Sequence, residues 1–243
     1  MTINTQIGLL STLSNPLLPI FINKMAEQQV DNVVVICDSK NWDEKSANIW
    51  KSRTNNGAHI DSSQTIYEHC TKSMSFYFVG SHNSDQLLEL CSAYRIECLV
   101  NAGTPRKISR NIIDEIPKGI VNIHPGALPS YKGSSAVEWS ILNNHRVANT
   151  AHFMNEEYDS GPIIEVERYA VPSNYSYQQI RSFVYIKGCE LAAKTLLGIN
   201  KGDISYERAT IQNPDEGKYW PTIPEADMQA VLDKIRKKTY SYD

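Results

Sequence analysis

The chain has 243 residues, 41% of them hydrophobic, and carries 24 Lys and Arg against 27 Asp and Glu, a formal net charge of −3 with a pI near 6.1. That length supports one sizeable core, or one core with a small appendage. The mild acidity exerts no overall pull toward nucleic acid or an anionic membrane, and apolar runs such as "NVVVIC" and "PLLPIFI" fall well short of the ~20 residues a spanning helix needs.

The opening "MTINTQIGLL" lacks the basic and long apolar regions of a signal peptide, so a cytoplasmic protein is expected. Five cysteines (Cys37, Cys70, Cys91, Cys98 and Cys189) form no C-x-x-C pair. They read as reduced residues, with Cys37 and Cys98 in apolar, strand-like runs of the core.

In chain order, "QIGLL" (6–10) reads as a strand and "PLLPIFINKMAEQQ" (16–29) as a helix with Pro16 in its first turn. "NVVVICD" (32–38) and "SFYFVG" (75–80) are β-branched or aromatic runs, typical of buried strands. "SDQLLELCSAYR" (84–95) has Ser84 as a helix cap, and "ECLVNAG" (97–103), "SRNIIDEI" (109–116) and "GIVNIH" (119–124) continue a strand–helix–strand rhythm. That alternation predicts an α/β fold with a doubly wound, mostly parallel, Rossmann-like sheet. "SAVEWSILNN" (135–144) is a helix, while "TAHFMN" (150–155) and "PIIEVERYAV" (162–171) are strands linked closely enough for an antiparallel pair. A long helix (176–199), a Pro-, Gly- and Trp-rich irregular arm (213–227) and an amphipathic helix (225–238) complete the chain. The expected organisation is a catalytic α/β domain over 1–175 and a C-terminal extension over 176–243.

Ligands of open α/β sheets bind beyond the carboxyl ends of the strands. Three loops there carry chemistry: "NAGTPRKI", "NIHPGALPSYKG" and "NEEYDSG". Alternation in "VNIH" places Asn122 and His124 on one side of an extended chain, and Pro125 stiffens the corner after them. An amide N–H can donate to a developing oxyanion, and an imidazole can donate or move a proton. Asp159, in a loop bounded by Gly161, is a candidate to orient or charge-stabilise that imidazole. The plainer alternative is that Asn122 and His124 merely finish the strand.

Of the other histidines, His59, His69, His82 and His145 read as surface residues, and His152 as a core histidine that could face the same cleft. No His or Cys pair has ligand spacing, so no metal is expected. The absence of G-x-G-x-x-G after the first strand disfavours a dinucleotide cradle, and no G-x-S-x-G elbow occurs.

"NIHPGALPSYKG" followed by "EEYDSGPII" resembles the paired signature of the 10-formyltetrahydrofolate-dependent formyltransferases, over roughly residues 75–175. The resemblance implies that Asn122, His124 and Asp159 are the catalytic residues and that 10-formyltetrahydrofolate is the formyl donor. It implies folate contacts from Thr104, Pro105, Arg106, Lys107 and Ile108 and from Glu156 and Tyr158. Lys132, Gly133 and Trp139 are expected on the acceptor side. One departure is Gly126, where the family usually has Ser, and a looser turn is expected there.

Within that family three acceptors are weighed. Methionyl-tRNA formyltransferases carry a further RNA-binding domain, and an acidic chain with some 70 residues after the core disfavours tRNA. Glycinamide ribonucleotide formyltransferases place a Gly/Ser-rich loop after the first strand, and "STLSNPLL" lacks its glycines. Enzymes acting on nucleotide-linked amino sugars often read "F-W-S-I" where this chain has "EWSI" (138–141). The expectation is therefore N-formylation of a dTDP- or UDP-linked amino-deoxysugar for surface polysaccharide such as O-antigen, by a homodimer. Glycinamide ribonucleotide formylation is the alternative, and a catalytically silent folate- or nucleotide-binding protein a second one.

Overall fold

A computed structural model describes residues 6–30, 32–60 and 74–240. Its sheet has seven strands: β1 (Gln6–Ser11), β2 (Val33–Asp38), β3 (Met74–Val79), β4 (Ile96–Asn101), β5 (Ile120–His124), β6 (Val147–Phe153) and β7 (Ile163–Tyr169). They lie in the order β3-β2-β1-β4-β5-β6-β7. β1–β5 are parallel, and β6 runs antiparallel to both its neighbours, β5 and β7, as the close link between residues 155 and 162 requires.

β2 is buried at every residue because helices cover both faces of the sheet. On one face α1 (Leu18–Glu27) and α6 (Tyr177–Lys201) pack Leu18, Ile22, Cys189 and Leu196 over Val33, Val35, Val100 and Val121. On the other, α3 (Asp85–Ala93) and α4 (Arg110–Glu115) pack Leu87, Cys91 and Ile112 over Val34, Ile36 and Leu99. Val33 and Val34 thus serve opposite cores, as strand alternation dictates. α5 (Ala136–Leu142), α6 and α7 (Glu225–Arg236) share a third cluster around Val147, Val184 and Val231. α2 (Glu44–Thr54), which buries only Thr54, follows β2 and packs beside α6. Its Arg53 reaches Ser134 O at 3.1 Å and lies 3.5 Å from Glu138.

Several local readings hold and others change. α6 starts from a capping box, Ser176 with Gln179, and ends at Gly202 with φ 78°. α1 begins later than expected: Pro19 occupies its first turn and Pro16 lies outside it. Ser84 precedes α3, but its hydroxyl bonds Ser81 O rather than capping the helix. Cys37, Cys91, Cys98 and Cys189 are buried free thiols, and burial pushes the Cys37 thiol up to about 11. His69 and Cys70 lie outside the described residues.

His82 is the clearest correction. It is fully buried rather than a surface residue. Its Nε2–H donates to Ile36 O at 3.0 Å and its Nδ1 sits 2.6 Å from Thr104 Oγ1. Polar neighbours in sequence concealed a histidine whose partners come from β2 and from a loop 22 residues away.

Candidate active site

β4 and β5 are adjacent and in register, with Asn101 opposite Asn122. Asn101 Nδ2 donates to Asn122 Oδ1 at 2.9 Å, and Asn101 Oδ1 accepts from the amides of Gly103 and Thr104. Asn122 Nδ2 lies 3.0 Å from His152 Nε2, opposite on β6. His152 Nδ1 lies 2.8 Å from Phe153 O, so Nδ1 carries the proton and Nε2 accepts from the amide. Burial, helped by the charge of His124, holds the His152 imidazolium down to about 4, so the ring is a neutral acceptor. This chain of bonds fixes which end of the Asn122 amide is nitrogen. One of its two N–H groups remains for a ligand.

His124, nearly fully buried at the end of β5, is held between two acceptors. Its Nε2 lies 2.6 Å from Tyr131 O and its Nδ1 3.2 Å from Asp159 Oδ1. The other carboxylate oxygen of Asp159 accepts from Gly133 N at 2.9 Å. Burial pushes the Asp159 carboxyl up, but the hydrogen bond and charge of His124 and the Gly133 amide outweigh it and hold it at about 2. Asp159 takes a left-handed conformation, φ 54°, uncommon outside glycine. Gly161 permits that turn: a Cβ there would sit 1.9 Å from Phe153 O.

The Gly126 departure has the opposite effect to the one expected. The turn is tight: Gly126 N bonds His124 O at 2.9 Å, and Gly126 O accepts from Thr150 Oγ1 at 2.6 Å. A Cβ at Gly126 would lie 2.6–2.8 Å from Ala136 Cβ, His124 Nε2 and Tyr131 O. The absent side chain is what lets the imidazole lie back on the Tyr131 carbonyl. The expected oxyanion donation from His124 therefore has a competitor within its own loop.

Asn122, His152 and Asp159 line a cleft of about 450 Å³ together with Thr104, Pro105, Arg106, Lys107, Ile108, Glu156 and Tyr158. The two loops expected to hold folate thus form walls of one cavity. Arg106 is not free in it. Its Nε and Nη2 donate to Asp38 Oδ2 and Oδ1 at 2.6 and 3.0 Å. Asp38, buried at the end of β2, also accepts from the Lys40 and His82 amides. Burial raises its carboxyl, and the Arg106 and amide bonds prevail to lower it. Lys107 Nζ lies 5.2 Å from the centre of the Tyr158 ring.

Lys132 and Trp139 do not line this cleft, and Gly133 meets its wall only through the Asp159 carboxylate. Lys132 pairs with the C-terminal arm: its N bonds Lys218 O and its O accepts from Trp220 N. Trp139 Nε1 donates to Pro221 O at 2.8 Å, and Trp220 stacks between Tyr131 and Trp139 with ring centres 5.6 and 4.7 Å away. Trp220 Nε1 also donates to Ser130 O. The arm is a strap across the loop whose backbone holds His124 and Asp159.

Sequence reasoning missed Asn101, Trp42 and Tyr185. Asn101 closes β4 as Asn122 nearly closes β5, so a polar residue at a strand's carboxyl end was the available signal. Trp42 and Tyr185 come from a loop and a helix with no such signature.

The model of the family described as formyl transferase matches residues 20–190, most of the chain, and the chain belongs to that family. Among curated proteins it is 27% identical over 124 residues to a methionyl-tRNA formyltransferase of Clostridium beijerinckii, an alignment covering 50% of this chain and 40% of that relative. The chain thus matches well under two thirds of such relatives' length. Among solved structures, a sugar N-formyltransferase from a Shewanella species superposes with a TM-score of 0.61 at 16% identity, over 95% of this chain and 87% of that one. Glycinamide ribonucleotide transformylase 1 of Symbiobacterium toebii superposes with a TM-score of 0.60 at 18% identity, over 86% of this chain and 94% of that one. At those identities the likeness establishes the shared fold. No helix among the described residues is long and apolar enough to cross a membrane, and no cluster of His, Cys, Asp and Glu among them could hold a metal ion.

Proposed function

We propose that this protein transfers the formyl group of 10-formyltetrahydrofolate to the amine of a nucleotide-linked amino-deoxysugar. The observation that carries this reading is the position of Asn122. It stands where the 450 Å³ cleft meets a second chamber of about 210 Å³, with the His124–Asp159 pair beside it. A donor in one cavity and an acceptor in the other would meet at its free N–H.

The acceptor nitrogen attacks the formyl carbon, and the carbonyl oxygen becomes an oxyanion that Asn122 Nδ2–H stabilises. As the tetrahedral intermediate collapses, the bond from carbon to N10 of the folate breaks. The amine has lost one proton and N10 has gained one. Asp159, on the cleft wall and oriented by His124, relays that proton between them through a water. Asn101 and His152 hold the Asn122 amide in the donating orientation. The folate lies between residues 104–108 and 156–158.

The test is a panel of acceptors with 10-formyltetrahydrofolate: dTDP- and UDP-linked amino-deoxysugars, glycinamide ribonucleotide and methionyl-tRNA, scored by tetrahydrofolate release. Turnover of an amino-sugar nucleotide is expected. Turnover of glycinamide ribonucleotide or methionyl-tRNA alone would reassign the acceptor. No release with any amine would leave a silent folate-binding protein.

A further inference from the structure

The second chamber differs in character from the cleft it joins. The cleft is charged, with Lys40, Asp43, Arg106, Lys107, Glu156 and Asp159 among its walls. The chamber has 14 lining residues, none of them Asp, Glu, Lys, Arg or His. Its polar groups are the side-chain amides of four asparagines and the hydroxyl of Tyr185; its apolar walls include Phe21, Trp42 and Cys189. At about 210 Å³ it falls below the ~300–1,000 Å³ of pockets that enclose a whole drug-sized ligand. It is sized for one ring, not for a nucleotide.

The amino end of α1 faces this chamber through Asn15 and Leu17, yet it is closed to anions. Leu17 N donates to Asn15 Oδ1 at 3.0 Å and Leu18 N to Asn15 O at 3.2 Å. Pro19 has no N–H to offer. The Asn15 amide is itself spent on Ser11 Oγ and Ala102 O. A phosphate or carboxylate entering here would be stripped of water and find neither cation nor free helix donors.

Tyr185 stands where chamber and cleft meet. Its hydroxyl accepts from Arg181 Nη2 at 2.7 Å, which leaves its own O–H to donate, and no acceptor for it occurs among the described residues. Arg181 is buried, stacked at 4.9 Å over the Tyr185 ring and 3.7 Å from Glu138, which Tyr177 and Arg53 also hold. A buried charge network thus aims one neutral donor at the junction.

From this we infer that the chamber seats the amine-bearing ring of the acceptor as an uncharged group. Tyr185 donates to a ring oxygen, and every anionic part of the acceptor stays outside. The inference rests on the proposed formyl transfer to an amino sugar and adds the charge rule for the sugar. The lack of a carboxylate in the chamber also means that the amine is held as its free base, the form that attacks.

The experiment compares methyl glycosides of 3-amino- and 4-amino-deoxyhexoses with the same aminohexoses bearing a 6-carboxylate or a 6-phosphate, using the full chain. Neutral glycosides are expected to have kcat/KM at least 100-fold above their charged counterparts. Tyr185→Phe should raise the KM for the neutral glycoside about tenfold and leave the KM for 10-formyltetrahydrofolate within twofold. Equal use of charged rings, or a Tyr185→Phe effect on the folate alone, would overturn the inference. Binding is read separately through the indole fluorescence of Trp42, against Trp42→Phe as baseline. A neutral glycoside should change it in wild type but not in Gly188→Leu, whose side chain would enter the chamber beside Asn149. Gly188→Leu should still bind 5-formyltetrahydrofolate, which shows that it is folded. If no methyl glycoside is formylated while a nucleotide-linked amino sugar is, turnover needs the nucleotide and the charge rule is read from the fluorescence alone; if neither is formylated, the proposed function fails. In both cases selective fluorescence binding of neutral rings would support the chamber's rule, and its absence would overturn it.

Discussion

Replacing Asp159 with Asn tests the core of the site, because it removes a charge and keeps the shape. A carboxylate held at about 2 against an ordinary 3.8 gains about 2 kcal/mol from its surroundings, at ~1.4 kcal/mol per pH unit. The side chain is 14% exposed, so solvent screens little of this. Asn can still accept from Gly133 N, so the loss falls on the His124 interaction. In a chain of this length ~2 kcal/mol corresponds to a fall in Tm of about 4–8 °C. The sign follows from a depressed carboxylate: its stabilisation is complete above about pH 4 and disappears as pH falls toward 2. Scanning calorimetry of wild type and Asp159→Asn should show a gap that is constant from pH 5 to 8 and closes as pH drops below 4. Under the proposed mechanism kcat should fall about 100-fold, with both KM values within threefold. A gap that is absent at pH 7, or that widens below pH 4, would refute the reasoning about the pair; undiminished kcat would refute its role.

Asn122→Ala should cut kcat by about 10²–10³ with an unchanged circular dichroism spectrum and Tm within a few degrees. Arg106→Ala leaves Asp38 buried without its cation, and a loss of about 3 kcal/mol in urea unfolding is expected, with a rise in KM for the folate because residues 104–108 lose their anchor. His152 gives a pH signature of opposite origin: its imidazolium is suppressed to about 4 in the fold against 6.5 when free, so the unfolded state takes up the proton first. Stability should fall by about 3 kcal/mol between pH 6.5 and 4, and His152→Gln should flatten that slope in denaturant titrations. Gly126→Ser, the change toward the family's usual residue, should lower kcat rather than raise it, since its Cβ would displace the imidazole from Tyr131 O.

The alternating strands and helices of the first half were legible because buried parallel strands are written as continuous apolar runs, as in "VVVIC" at β2. Asn122, His124 and Asp159 were legible as candidates because a strand end, a His-Pro corner and an Asp before Gly161 are local patterns. What escaped was set by tertiary neighbours. His82 looked like a surface residue until β2 supplied the Ile36 carbonyl and a distant loop supplied Thr104. Nothing local to Arg106 reveals that Asp38 claims its guanidinium. Nothing local to Trp139 reveals that its indole donates to Pro221, 82 residues on. Gly126 read as slack because a missing side chain is silent in sequence about what crowds around it.

The strap formed by residues 217–221 has a consequence for the order of events during synthesis. The loop that carries Tyr131 O and Gly133 N receives hydrogen bonds from Lys218, Trp220 and their neighbours, about 90 residues later in the chain. While a ribosome is still making α6, β1–β5, including the strands that carry Asn101 and Asn122, can already pair, since chains fold progressively from the amino end. The loop over them is not yet clamped. A nascent chain arrested before Trp220 should therefore be folded enough to resist protease across β1–β5 yet leave the candidate site incomplete. Competence to react would arrive with the strap, late and in a single docking step.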